Sequence, residues 1–490
     1  MIYHPLDRSS CLFFPLQYLF KNPHEQRGCV MEKALANELI QQFLAYGHEE
    51  VEIFHEEKQV HSLRTRRGGE KPEWRVTVGQ GVGVRISGEM GMKYLHFPMS
   101  PADLLEHVKS GRNTALLREV RSVKQVGDEE DQHVGVSLSA MAAAFEELHD
   151  RWQRGFRAAG RVNSRCMESV TSFDQRITVA RSDGFYADDH RSYYTIDIQG
   201  EWTEESRPMY MSRSCGGLNL EELRAGFAGF VQSALAEFDD LQQYIEIEGG
   251  DWCVVLGPGN PAILIHEVCG HGLEGDLAAH PDAVYGGKFG QPVASEQVTL
   301  VDDPTIPGLS GSYRVDDEGE KAQSTVLIQN GRLQELMYDR TAAKRWDTHS
   351  NGHGRRVSYR YPAIPRMSNT FIQAGEYTPE EIVRQTSRGL YVRKLGTGET
   401  ELTTGRFRVR VVEGFLIENG RITRPTGDLW LVGNGPDLLS SIDRVGCDLR
   451  MHHSRHATCH KFDQMNLAVS VGQPTIRIKK IHVETGAGRS

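Results

Sequence analysis

Two histidines flanking a glutamate-bearing stretch, His266-Glu267-Val268-Cys269-Gly270-His271, are the residues of this chain best equipped for chemistry. Imidazole nitrogens are borderline-soft donors that suit Zn2+. A carboxylate beside the first histidine can take a proton from a water that a metal has acidified. Together they point to metal-assisted hydrolysis, with a peptide bond as the best-fitting target and Glu267 as general base.

The spacing sets a geometric problem. Histidines four apart share one helical face, as in the common zincin motif. Here they are five apart (271 − 266 = 5). On a regular α-helix that turns the second ligand roughly 140° from the first. Both reach one metal only if the helix widens or ends there, and a single π-type turn closes an i to i+5 step. Gly270 and Gly272 flank the second histidine, where freedom from a Cβ eases a distorted turn. Asn260 reads as an N-cap, Pro261 as the first helical residue, and Ala262-Ile263-Leu264-Ile265 as a buried run into His266. Cys269 reads as a small apolar core residue.

A catalytic zinc usually takes three protein ligands. Nearby candidates are Glu274, Asp276 and His280. A second cluster lies far along the chain, in Met451-His452-His453-Ser454-Arg455-His456-Ala457-Thr458-Cys459-His460. Thiolate is a strong zinc ligand, which favours Cys459 on chemistry. Spacing alone does not choose among these.

The elements that must position these groups divide the chain in two. At 490 residues, 39% of them hydrophobic, the chain can bury a large core and suggests two or three domains. Helical periodicity is expected from Glu32 to Ala45, from Pro101 to Lys109 after Ser100, from Leu138 to Ala159 and from Leu218 to Phe238. Strand alternation marks Val51–His55 and residues 170–205. The glycine-rich Gly79-Gln80-Gly81-Val82-Gly83-Val84-Arg85-Ile86 lacks a P-loop's lysine and reads as strands joined by a tight turn. After Gly249-Gly250, short alternating strands dominate, with hairpin turns at Asn330-Gly331 and Asn419-Gly420. The expected class is α+β. An N-terminal α/β region of mixed sheets and helices spans 31–245, with a further division near 135. A strand-rich C-terminal domain, 246–490, carries the metal-site helix. Residues 1–30 look unlike the rest and are expected to be a disordered extension or a start-codon artefact.

Composition narrows the partners. Net charge is −10 and the 56 basic residues are dispersed without interleaved aromatics, which argues against nucleic acid as a partner. The 8 cysteines are scattered with no CxxC pair, so a disulfide framework is not expected and a reducing cytoplasm fits. No apolar run approaches the ~20 residues that span a bilayer.

In sequence order, several blocks resemble the TldD side of the TldD/TldE (PmbA) family of metallopeptidases. His266 to Asp276 is similar to the family's HExxxH block. Pro307–Ser312 with Asp316–Gly319, then Asn351–Arg356 with Pro365–Thr370, resemble its second and third blocks. Val471-Gly472-Gln473-Pro474-Thr475 looks like its closing strand, and Gly81–Arg85 fits its N-terminal domain. The resemblance implies His266, His271 and Cys459 as zinc ligands, because the family carries a cysteine about a dozen residues before the closing block. It also implies short or unfolded peptides as substrates, bound as an added strand, and a TldE-like paired subunit or a homodimer. One departure stands out. The family's cysteine is usually followed by a glycine-containing run, whereas here His460-Lys461-Phe462-Asp463-Gln464 follows, which keeps His456 and His460 in view as ligands. The competing reading is a non-catalytic scaffold or partner subunit with a structural, four-ligand zinc site.

Overall fold

Long runs of alternating residues build the first layer. The computed structural model describes residues 31–65, 72–88, 91–110, 138–158, 165–204, 207–239, 244–454 and 457–486. The 1–30 segment and His456 therefore lie outside the described residues. Strands β1 (Glu50–Thr65), β2 (Pro72–Gly88), β3 (Gly91–Phe97), β4 (Arg165–Arg181), β5 (Tyr186–Glu204) and β6 (Arg207–Gly217) form one sheet in the order β3-β2-β1-β4-β5-β6. Every pairing in it is antiparallel. β1 pairs with β4 from Glu52 to Arg64, so strands from before and after residue 135 share one sheet.

Side chains alternate across a strand, and the two faces of this sheet have different partners. One face is covered by helices. Lys33–Ala45 and Pro101–Lys109 pack with Val51, Ile53, Val82, Val84 and Ile86. Leu138–Ala158 lays Phe145, Leu148 and Trp152 with Val170, Ile196 and Ile198. The other face meets the second half through buried ion pairs. Glu52 pairs with Arg85, Arg340 and Arg356, and Arg85 reaches Glu318 at 2.6 Å. Arg191 reaches Asp317 at 2.8 Å.

β2 corrects the expected turn at Gly79–Ile86, because it runs unbroken. Its glycines serve close approach instead. A Cβ at Gly81 would stand 2.4 Å from the Tyr359 ring, and one at Gly83 would stand 2.7 Å from the Tyr359 carbonyl. Tyr359 belongs to the second half, so bare backbone here lets the halves touch.

In the second half, strands Arg388–Thr400, Gly250–Leu256, Ile476–Thr485, Leu429–Asn434 and Arg406–Glu418 pair in that order, and the last pairs back to the first. The result is a closed ring of five strands. A six-stranded sheet beside it runs Arg332–Leu333, Thr325–Gln329, Leu300–Asp302, Asn369–Ile372, Ser470–Gln473, Arg450–His452. Only its pairing of Asn369–Ile372 with Ser470–Gln473 is parallel. Asn330-Gly331 and Asn419-Gly420 turn their hairpins with positive φ at both residues, as the sequence signals. Val254, Leu256, Leu431 and Ile478 of the ring share one core with Leu264, Ile265, Val268 and Cys269 of the motif.

Candidate metal centre

The motif leaves the ring directly. Strand Gly250–Leu256 ends, and residues Ala262–Ile265 form one short α-helical turn. Asn260 does not cap it. Its side-chain oxygen accepts from the Leu395 N–H at 2.9 Å, and three-residue backbone bonds such as Ala262 N–H to Gly259 C=O start the helix instead. The helix then widens into a π turn over His266–Gly270 and tightens to a 3-10 turn over His271–Leu273. The His271 N–H donates to the His266 C=O, which is the i to i+5 closure that the spacing demands.

The glycines act differently from the expectation. Gly270 has φ −56° and ψ −49°, an ordinary helical conformation. It is needed for space. A Cβ there would stand 2.0 Å from Met367 Sδ, and one at Gly272 would stand 2.8 Å from the Tyr285 ring.

Widening turns both imidazoles to one side. The rings lie 5.3 Å apart, nearly perpendicular at 79°. Cys459 arrives on the hairpin Thr458–Lys461 and Gln464–Ala468. Its Sγ lies 3.4 Å from His271 Nε2, and donor atoms of His266, His271 and Cys459 all lie within 4.8 Å of one another. A tetrahedral site with Zn–N near 2.0 Å and Zn–S near 2.3 Å sets neighbouring donors about 3.5 Å apart, so this trio matches one metal in size. All three residues are buried. Neither ring nitrogen of His266 has a hydrogen-bond partner among the described residues. Leaving a buried polar group unsatisfied costs about 1–3 kcal/mol, so the ring is arranged for a group beyond the polypeptide. No fourth donor joins the trio among the described residues.

Electrostatics couple His271, Cys459 and Glu274 to one another. Burial opposes charge on His271, but the Cys459 thiolate and the Glu274 carboxylate outweigh it and hold the imidazole well above its ordinary value. Burial likewise opposes the Cys459 thiolate, and facing His271 and Arg366 draw that thiol well below its ordinary value. Cys269, by contrast, faces the core, where burial pushes its thiol up to about 12.

The remaining candidates fall elsewhere. Glu274 is buried and holds the other nitrogen of His271, Nδ1, at 2.9 Å through Oε2. That is a supporting place rather than a ligand's. Asp276 pairs with Lys461 at 2.7 Å. His280 is exposed beside Asp282. His460 is exposed, within hydrogen-bond distance of Asn466, because alternation sends it outward between buried Cys459 and Lys461. His453 is buried against Tyr193. The departure after Cys459 is accommodated by a tight turn with Phe462 at φ +53°, where a glycine would be unstrained. Glu267 alone in the motif is half-buried, and its carboxylate has no hydrogen-bond or ion-pair partner among the described residues.

The second and third family-like blocks bond to each other, and the third also reaches the site. The Asp316 carboxylate accepts from the Gly354 N–H and the Asp317 carboxylate from the Arg356 N–H, at 2.9 and 2.7 Å. The Arg366 guanidinium donates to the Cys459 carbonyl at 2.9 Å. Sequence reading missed Arg366, Lys461 and the supporting part of Glu274, whose contacts join segments far apart in the chain.

Residues 249–485 match the PmbA/TldA metallopeptidase C-terminal domain. A Metalloprotease TldD homolog of Haemophilus influenzae is 32% identical over 348 residues, covering 69% of this chain and 71% of that one. A Metalloprotease TldD homolog of Buchnera aphidicola is 37% identical over 238 residues, and the chain spans about half of that relative's length, 49% of each. TldE from Thermococcus kodakarensis superposes with a TM-score of 0.73 at 18% identity, covering 92% of this chain and 100% of that one. The chain belongs to the TldD/PmbA family of metallopeptidases.

Proposed function

We propose that the chain is a zinc peptidase of the TldD kind. His266, His271 and Cys459 hold the ion, and Glu267 is the general base. The observation that carries this reading is the buried trio of donors within 4.8 Å, with neither nitrogen of His266 hydrogen-bonded among the described residues. A zinc ion so held would polarise the scissile carbonyl and lower the pKa of water toward ~7. The protein's part is then positional. The Glu267 carboxylate, half-buried and without a competing partner among the described residues, accepts the proton of the attacking water and returns it to the leaving amine.

Short or unfolded peptides are the proposed substrates, recognised through main-chain pairing of the kind that strand-rich proteins offer. A TldE-like subunit is the proposed partner, with a homodimer as the alternative assembly. A cytoplasmic setting agrees with six described cysteines that are all free and with the lack of any helix, among the described residues, long and apolar enough to cross a membrane. The structural-zinc reading needs a fourth protein donor, and the described residues offer three. The test is cleavage of an unfolded peptide by metal-depleted protein before and after zinc addition, with and without a co-expressed TldE-like chain. Activity that survives complete metal removal would refute the reading.

A further inference from the structure

Lys461 stands two residues beyond Cys459 on the same hairpin strand, and both are buried while His460 between them is exposed. The Lys461 ammonium meets three acceptors. These are Glu274 Oε2 at 2.9 Å, Asp276 Oδ1 at 2.7 Å and the Pro365 carbonyl at 2.8 Å. An ammonium has three protons, so all are used. The same Glu274 oxygen sits 2.9 Å from His271 Nδ1. One carboxylate oxygen thus touches both the imidazole of the motif and the strand that carries the cysteine. A second tie lies alongside, where Arg366, next to Pro365, donates to the Cys459 carbonyl.

Accepting the metal ligands proposed above, we infer that the buried Glu274–Lys461 pair is a positioning device that sets His271 and Cys459 in register across 188 residues of chain. With Nδ1 engaged by the carboxylate, the ring presents Nε2 toward Cys459, and outer hydrogen bonds of this kind fix ligand orientation. Stability does not account for the pair. Taking two charges out of water is expensive, and a well-packed apolar pair of similar volume is often as stable or more so. What an apolar pair cannot supply is a fixed direction for the imidazole and a fixed depth for the hairpin. Glu274 and Lys461 act through the ligands and touch no reacting atom.

The test uses Glu274→Gln, Lys461→Met and the double variant in the full chain. Two readouts are taken, chelator-competition affinity for zinc and the visible spectrum of the cobalt-loaded protein, whose thiolate bands report ligand geometry. Each single change is expected to weaken zinc binding ~10–100-fold and to alter the cobalt bands. The double variant should lose no more than either single, because contacting residues do not add. It leaves no half of the pair unpaired with the other and is the variant best suited to fold, which urea melts of metal-free protein check. His266→Ala and Cys459→Ala run alongside. If these lose metal while the Glu274 and Lys461 variants keep wild-type affinity and spectrum, the positioning role is overturned and the ligand assignment stands. If His266→Ala and Cys459→Ala themselves keep full affinity, the ligand assignment falls, and the positioning role with it. Strictly additive losses would equally overturn the shared device.

Discussion

Gly435 opens the helix Gly435–Ser441, and there helix propensity and packing disagree on the sign of one substitution. Its φ is not positive. On backbone grounds alone, replacing such a glycine by alanine stabilises by roughly 0.5–1 kcal/mol. The surroundings say otherwise. A Cβ at Gly435 would stand 2.2 Å from the Val268 carbonyl oxygen, 3.0 Å from its carbon and 3.3 Å from Val268 Cβ. Optimal contact is about 3.5–4.0 Å, so the overlap exceeds an ångström. The atom struck is backbone of the π turn, which has no rotamer to escape into. Overpacking of this kind costs about 1–3 kcal/mol. Gly435→Ala is therefore expected to destabilise by about 1–2 kcal/mol net and to disturb the turn that brings His266 and His271 together. Gly229, exposed in the helix Phe227–Asp239 with nothing within 4 Å of its Cβ position, is the control. Gly229→Ala should stabilise by about 0.5–1 kcal/mol. Urea unfolding of metal-free protein gives both signs, and zinc affinity reports the turn. A Gly435→Ala protein as stable as Gly229→Ala, with full zinc affinity, would refute the packing argument.

Three further outcomes are expected. Glu267→Gln should keep zinc content and stability, since the carboxylate has no described partner to lose, and should lower peptide turnover by ~10^2–10^4; elemental analysis beside a peptide assay checks it, and near-normal turnover would remove Glu267 from the mechanism. Cys459→Ala should lower zinc occupancy and activity together and loosen the second half of the fold, because metal binding couples to folding; full zinc in that variant would redirect attention to other donors. For Glu413, burial would raise the carboxyl, but Arg213, Arg393 and Lys394 hold it down at about 2, against an ordinary 4.5. A depressed folded value stabilises above the unfolded value and fades as pH falls through the folded one. Glu413→Gln should thus destabilise by ~3 kcal/mol at pH 7, with the gap closing between about pH 4.5 and 2; a gap that ignores pH would contradict the linkage.

How much of this was legible depends on how local the cause was. The π turn could be read from two histidines five apart, because few backbone conformations carry both to one side. The Asn330-Gly331 and Asn419-Gly420 hairpins were legible for the same reason, since positive φ at successive residues suits those types. Glycine elsewhere was ambiguous. At Gly81, Gly83 and Gly270 it makes room for Tyr359 and Met367, and nothing in the flanking sequence tells space from flexibility. Chemistry favoured Cys459, but several histidines stand beside it in sequence and only the family resemblance decided among them. Glu274 and Lys461 were not legible as a pair. Charged residues 187 positions apart (461 − 274 = 187) read as solvated surface until the fold buries them together. The ion pairs of Glu52, Arg85, Arg356 and Glu318 were hidden in the same way.

The supports around the motif also define its open side. Gly435 and Gly405 lie against the Val268 carbonyl, and a Cβ on the latter would stand 2.8 Å from that oxygen. Met367 fills the space under Gly270, and Tyr285 that beside Gly272. Glu274 stands at Nδ1 of His271, and the hairpin brings Cys459 to its Nε2. Each of these contacts takes away one direction in which the π turn could relax, so packing helps to hold the three donors in place. Val268, Cys269, Gly270 and both histidines are buried, and Glu267 alone is half-exposed. On the proposed reading the Glu267 carboxylate is the group of the motif open to arriving peptide and water. The same packing that makes the donors rigid would then place the base on the approach path of peptide and water, and both properties follow from one widened turn set into a close-packed core.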